Sequence, residues 1–227
     1  MDDIKILHED RDIIVCIKPS GVLSQSDESG GASLVSQLEE HIRSQGKEPY
    51  VGVVHRLDAG VGGVMVYAKT KAAAGKLSAY VSDKEKFQKR YLAIICGSPE
   101  QDFGVYRDLL FKDTHLSKSF VVDKMRKGVK EASLEYEKIA FDEREGLSLV
   151  KILLHTGRTH QIRVQFSSRK TPLSGDKKYG ARDGRSAIGL WSYSLSFPHP
   201  ISGKKMDFHA LPEGGTWTVF EKTLETL

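Results

Sequence analysis

The 227-residue sequence has little cysteine: Cys16 and Cys96 are its only two. Both lie in apolar runs, which suits buried thiols and argues against a disulfide framework or a cysteine-based zinc site. Long apolar runs are also missing. None approaches the roughly 18 residues of a membrane span, so no membrane partner is expected. The N-terminus, Met1-Asp2-Asp3-Ile4-Lys5, is acidic where a signal or transit peptide is basic, and cytoplasmic residence is the expectation. Internal repeats, low-complexity segments and a βαβ rhythm are absent. Catalytic fingerprints are scarce. There is no glycine-rich dinucleotide loop, no phosphate-cradling loop with its lysine, and no signature of a serine or cysteine nucleophile. Eight histidines invite a metal, but the pair His155 and His160 is spaced wrongly and no cysteine pair supports it. No metal site is expected.

What is present describes an ordinary soluble globular chain, 39% hydrophobic and 28% charged. Its length suits one large domain or two closely joined lobes. The net charge of +4 is modest but unevenly spread. Residues 1–50 hold five Lys/Arg against ten Asp/Glu, while residues 151–185 hold nine against two. That asymmetry suggests a basic face toward a polyanion.

Ile13 to Ile17 reads as a short buried strand, ended by Lys18-Pro19-Ser20-Gly21. A polar loop through Gln25 to Gly31 follows. Ser33 suits a helix cap, with Leu34, Leu38 and Ile42 as one apolar stripe and His41 at the rim. Thr70 suits the cap of a second helix over 71–82, with Ala73, Leu77 and Val81 toward the core. Tyr91 to Cys96 reads as a strand. Residues 100–130 are basic and less orderly, either a long hairpin or an insertion. Strands are expected over 132–141 and 147–154, joined by a hairpin. After His155, Ile162, Val164 and Phe166 alternate like a strand, yet Thr159 could start a helix running to about Ser168. Further strands are expected at Ala187–Phe197, 204–209 and 216–221. The sum is an α+β fold with a large, mostly antiparallel sheet and short flanking helices.

One stretch organises the rest. Val53-Val54-His55-Arg56-Leu57-Asp58 leads into Gly60-Val61-Gly62-Gly63 and the apolar run Val64 to Ala68. Asp58 therefore sits at the mouth of a turn between two apolar runs, where a scaffold fixes it and leaves it reachable. The glycines allow a tight turn or a close backbone approach. A cation such as Arg163 could keep Asp58 ionised. The ring of Tyr91 could stack on a nucleobase, or simply pack in the core.

Val54-His55-Arg56-Leu57-Asp58, with Gly63 and Ala68-Lys69-Thr70, resembles the signature of the pseudouridine synthases of the RluA class. Three more segments resemble that family in its order: Lys18-Pro19-Ser20-Gly21, Lys89-Arg90-Tyr91-Leu92-Ala93, and Thr156-Gly157-Arg158-Thr159-His160-Gln161-Ile162-Arg163 with Pro172 to Gly180. The resemblance covers about residues 10–212. It implies a single catalytic domain over 1–227, two lobes around a central cleft, and no S4-type RNA-binding domain. It implies that uridines in structured RNA, ribosomal or transfer, become pseudouridines. Asp58 would be essential, by covalent attack or by removing a sugar proton. Tyr91 would pack on the uracil and Arg163 would pair with Asp58. Arg56 would help displace the base, and Lys18, His55, Arg158, His160 and Gln161 would bind substrate.

The reaction gains and loses no atoms, so no cofactor is expected. A monomer is the default. The chain departs from the family at Ala59, Val61 and Gly62, at Gln165 where a histidine is usual, and at Arg169-Lys170 where a glycine is usual. Two other readings compete. One is a non-catalytic RNA-binding protein on the same fold. The other is a carboxylate enzyme for another nucleoside or sugar, which has no obvious second acid.

Overall fold

The fold, a computed structural model, describes residues 4–26 and 33–227. The acidic start at Met1 to Asp3 and the centre of the polar loop, Asp27 to Gly31, lie outside the described residues. In chain order the elements begin β1 (Ile6–Glu9), β2 (Ile13–Lys18), α1 (Leu34–Ser44), β3 (Gly52–Val53), β4 (Gly62–Ala68) and α2 (Lys71–Val81). Then come β5 (Gln88–Cys96), β6 (Phe103–Asp113), β7 (Lys118–Val122), β8 (Val129–Asp142) and β9 (Leu147–Leu154). The chain ends with α3 (Gln161–Ser168), β10 (Leu190–Pro198), β11 (Lys205–His209) and α4 (Glu221–Leu224). The fold is α+β, dominated by a large, mostly antiparallel sheet with short flanking helices, as the sequence implies. No helix among the described residues is long and apolar enough to cross a membrane.

The chain divides into two compact units, and each has its own stretch of sheet. The first comprises Met1–Lys89 with Ser192–Leu211. Here β2 pairs antiparallel with β1 on one side and β4 on the other, and β10 pairs with β11. Every residue of β4 is buried, which explains its continuous apolar run. The core is Ile13, Val15, Val64, Val66, Leu77, Phe87, Leu195 and Phe197. Helix α1 starts at Ser33, whose hydroxyl accepts from the Ser36 amide in a reciprocal capping box, and it buries Leu34, Leu38 and Ile42. Helix α2 starts at Thr70 and buries Ala73 and Leu77; Val81, at its end, is only half-buried.

The second unit comprises Arg90–Trp191 with Pro212–Leu227. Strands β6 and β7 form an antiparallel hairpin over part of the basic 100–130 segment. Strand β8 pairs with β6 and, after a turn at 143–146, with β9. Tyr106, Tyr136 and Phe166 pack ring against ring under α3.

Two readings of the sequence resolve differently. The segment after His155 is the helix α3, begun not at Thr159 but at His160, which takes a left-handed φ of 53° and gives no side-chain cap. The expected strand at 216–221 is a 3-10 turn over Gly215–Phe220 running into α4. The buried residues Trp217, Phe220 and Leu224 fall three and four apart, which is a helical spacing.

Candidate active site

In the first unit, the backbone around Asp58 is braced by the turn that follows β2. Lys18 is fully buried, and its ammonium donates to the carbonyls of Pro19 at 2.9 Å, Val22 at 2.5 Å and Ala59 at 3.1 Å. An ammonium has three donors, so all are used. Burial pushes the Lys18 pKa down to about 8, and the Asp58 carboxylate opposes that fall. The Gly21 amide also donates to the Ala59 carbonyl, and the Ser20 hydroxyl donates to that of Gly60, both at 2.8 Å. Ser24 Oγ donates to the Leu57 carbonyl at 2.9 Å and accepts from its amide at 3.1 Å. Within the turn, the Val61 amide reaches the Asp58 carbonyl at 2.9 Å. The Lys-Pro-Ser-Gly segment is thus the mould in which the Asp58 turn is cast. Asp58 itself is half-buried and Arg56 is exposed.

The glycines serve close approach at one position above all. Gly63 has φ of 120°, and a Cβ there would lie 2.3 Å from the Ser192 carbonyl oxygen. His55 is buried and its Nε2 accepts from the Val66 amide at 3.1 Å. Burial, helped by the positive charge of Lys89, pushes this imidazole down to about 3. It is therefore neutral and works as an acceptor that fixes β4 to the chain before Asp58. Lys18 and His55, expected to bind substrate, spend the donors and acceptor seen here on the scaffold.

In the second unit, Arg163 is buried and makes a two-pronged ion pair with Asp176, Nε to Oδ2 at 2.7 Å and Nη2 to Oδ1 at 2.9 Å. Its guanidinium carbon also lies 5.1 Å from the centre of the Tyr179 ring. Asp176 was not among the expected site residues. Its signal was present: it is one of only two acids in the basic 151–185 stretch. The other, Asp183, accepts from the Ser174 hydroxyl at 2.6 Å and the Gly175 amide at 3.1 Å, and so shapes the turn that presents Asp176.

Gln161 is buried with its amide committed: Oε1 accepts from Thr156 Oγ1 at 2.7 Å and from the Arg158 amide at 3.1 Å. Its Nε2 donates to the Ser133 carbonyl at 3.1 Å. His160 Nδ1 lies 3.0 Å from the Tyr179 hydroxyl, which secures its left-handed backbone. Arg158 donates through Nε to the Glu131 carbonyl at 2.9 Å. Tyr91 is buried on β5. The first unit therefore gathers Lys18, His55, Arg56 and Asp58, and the second gathers Tyr91, Arg158, His160, Gln161 and Arg163.

One cluster has metal-ligand composition. Single ligand atoms of Asp10, Asp12 and His199 all lie within 4.8 Å of one another. His199 Nδ1 accepts from the Ile201 and Ser202 amides, so Nε2 bears the hydrogen and donates to Asp10 at 3.0 Å. A protonated Nε2 cannot ligate a metal, and the cluster reads as a hydrogen-bonded corner.

Residues 12–168 match the model of a family described as RNA pseudouridylate synthase. A protein of Aquifex aeolicus named as an uncharacterized RNA pseudouridine synthase is 36% identical over 219 residues, covering 90% of this chain and 68% of that protein. The ribosomal large subunit pseudouridine synthase D of Borreliella burgdorferi is 35% identical, covering 85% of this chain and 60% of that protein. The chain thus spans about two thirds of the length of these curated relatives. The solved structure of human RNA pseudouridylate synthase domain containing 4 shares the fold, with a TM-score of 0.77 at 21% identity over 97% of this chain and 92% of that one. With the family signature running through both units, the chain belongs to the RNA pseudouridylate synthases, enzymes that isomerise uridine to pseudouridine in structured RNA.

Proposed function

We propose that Asp58 carries the reaction and that Tyr91 and Arg163 serve it, on a uridine of large-subunit ribosomal RNA. The observation behind Asp58 is the bracing of its turn: hydrogen bonds from Lys18, Ser20, Gly21 and Ser24 hold residues 57–60 while Asp58 stays only half-buried. A fixed carboxylate acts without reorganising when the N1–C1′ bond breaks. The freed uracil turns in place and C5 joins C1′. The C5 proton leaves and N1 gains one, so atoms balance without a second reactant. Tyr91 would face the uracil, and Arg163, held by Asp176, would present a fixed positive charge to Asp58.

Extruding the uridine costs a few kcal/mol. Arg56, two residues before Asp58, would fill the gap. Arg158 and the cations that follow β7, Lys124, Arg126, Lys127 and Lys130, would hold the backbone. The ribosomal substrate is supported by the names of several relatives, among them the protein of Borreliella burgdorferi.

The experiment maps pseudouridines in RNA from cells with and without the gene, then repeats the loss with Asp58→Asn. Sites that vanish with the gene and return only with the unaltered protein are expected in large-subunit RNA. Sites restored equally by the Asn variant would remove Asp58 from the chemistry.

A further inference from the structure

Lys89 is an unmatched cation. The residue is only 9% exposed. Among the described residues its ammonium has no hydrogen-bond acceptor and no carboxylate partner; its contact is the Phe87 ring, 5.7 Å from Nζ to the centroid. That ring is stacked on Phe197 at 5.3 Å and meets His55 edge-on at 5.6 Å. Lys89 thus stands beside the segment that ends in Asp58. On β5 it lies two residues before Tyr91, so strand alternation turns both side chains to one face.

A cation over a ring at this range gains only a weak attraction. Withdrawing an ammonium from water costs far more than that contact returns unless an anion answers it. Burial accordingly lowers its pKa. The neighbouring histidine gives no help, because it is neutral and its Nε2 is taken by Val66. The scaffold therefore keeps a largely buried positive charge without an anionic partner among the described residues. Phosphate is the anion a bound RNA brings, and a compact ammonium suits it as a point-charge partner.

We propose that Lys89 is a phosphate-binding residue that takes a backbone phosphate flanking the target uridine as the nucleotide enters. This rests on the pseudouridine synthase reading. The site would act on the extruded nucleotide itself. It would make entry favourable by giving the buried ammonium its missing partner.

The test is a double-mutant cycle between protein and RNA. The probe is a synthetic stem–loop carrying a uridine mapped as above, with the phosphate on its 5′ or 3′ side replaced by an uncharged methylphosphonate. With unaltered protein, one replacement should weaken binding about tenfold. Lys89→Met should bind the native stem–loop about tenfold more weakly, lose nothing further to that replacement, and show a salt slope lower by about one. Lys89→Arg keeps the charge and should keep the sensitivity, which guards against a Met variant that folds poorly. Equal losses for unaltered and Met proteins at both phosphates would overturn the assignment and leave the enzyme reading intact. An unaltered protein that forms no pseudouridine in any RNA would overturn both.

Discussion

Removing Asp176 should separate what Arg163 does for the fold from what it does for the reaction. Asp176 is 1% exposed and Arg163 6%, and two charge-assisted bonds of 2.7 and 2.9 Å join them. Asp176→Leu leaves a guanidinium buried without its carboxylate. Breaking a buried pair from one side costs about 3–5 kcal/mol. For a chain of this length each kcal/mol moves the melting point about 2–4 °C, so a drop of about 6–20 °C is expected. Arg163→Met should cost a similar amount, because it strands Asp176. The double variant removes both charges, and apolar replacements of a buried pair are often neutral. Its melting point should return to within about 5 °C of the unaltered protein. Pseudouridine formation should not return, because the proposed role of Arg163 in the reaction is gone with its charge. Thermal unfolding and a tritium-release or mapping assay on the three variants decide it. A double variant as unstable as the two singles summed would refute the pairing argument. One that regains turnover would refute the catalytic use of Arg163.

Acid should weaken the first unit through Glu9. Burial pushes its pKa up, but the Lys69 and His41 bonds outweigh that and leave it lowered to about 2. The folded chain then binds fewer protons than the unfolded one between about pH 2 and 4.5, so this contribution is present above that window and lost on acidification. Glu9→Gln should be less stable than the unaltered protein at pH 6, and the gap should close by about pH 2 in urea unfolding. Gly63→Ala should unfold far more easily, by at least about 2 kcal/mol, since φ of 120° and a backbone oxygen at 2.3 Å both oppose a Cβ. Chemical denaturation measures it, and a variant as stable as the parent would remove the close-approach argument.

The strands of the first unit were legible because their burial follows their residue types. In β2 and β4 nearly every apolar position is buried, and the caps at Ser33 and Thr70 read correctly from single hydroxyls. Helix α3 was ambiguous for a physical reason. All residues from Gln161 to Phe166 are buried, so there is no polar face to set the period. Gln161, Arg163 and Gln165 are inside with partners of their own: Ser133, Asp176 and Asp108. Their polarity imitated the alternation of a half-exposed strand. Asp176 lies thirteen residues beyond Arg163, out of the reach of any local pattern. The moulding of the Asp58 turn by Lys18 was equally hidden, because the Lys18 ammonium reaches the Ala59 carbonyl across 41 positions of sequence. The motif showed both segments without showing that they touch.

The contact between Gly63 and Ser192 has a bearing on how the protein is made. Ser192 also donates its hydroxyl to the Val64 carbonyl at 2.9 Å, across 128 positions of sequence. During synthesis Asp58 emerges well before the strand against which its neighbour Gly63 closes. The first unit is complete only when residues 192–211 arrive. Shortened products carrying Asp58 without that strand would have an unfinished floor under the turn, so a nascent chain stays inert toward nearby RNA until the strand has been made and has closed on Gly63.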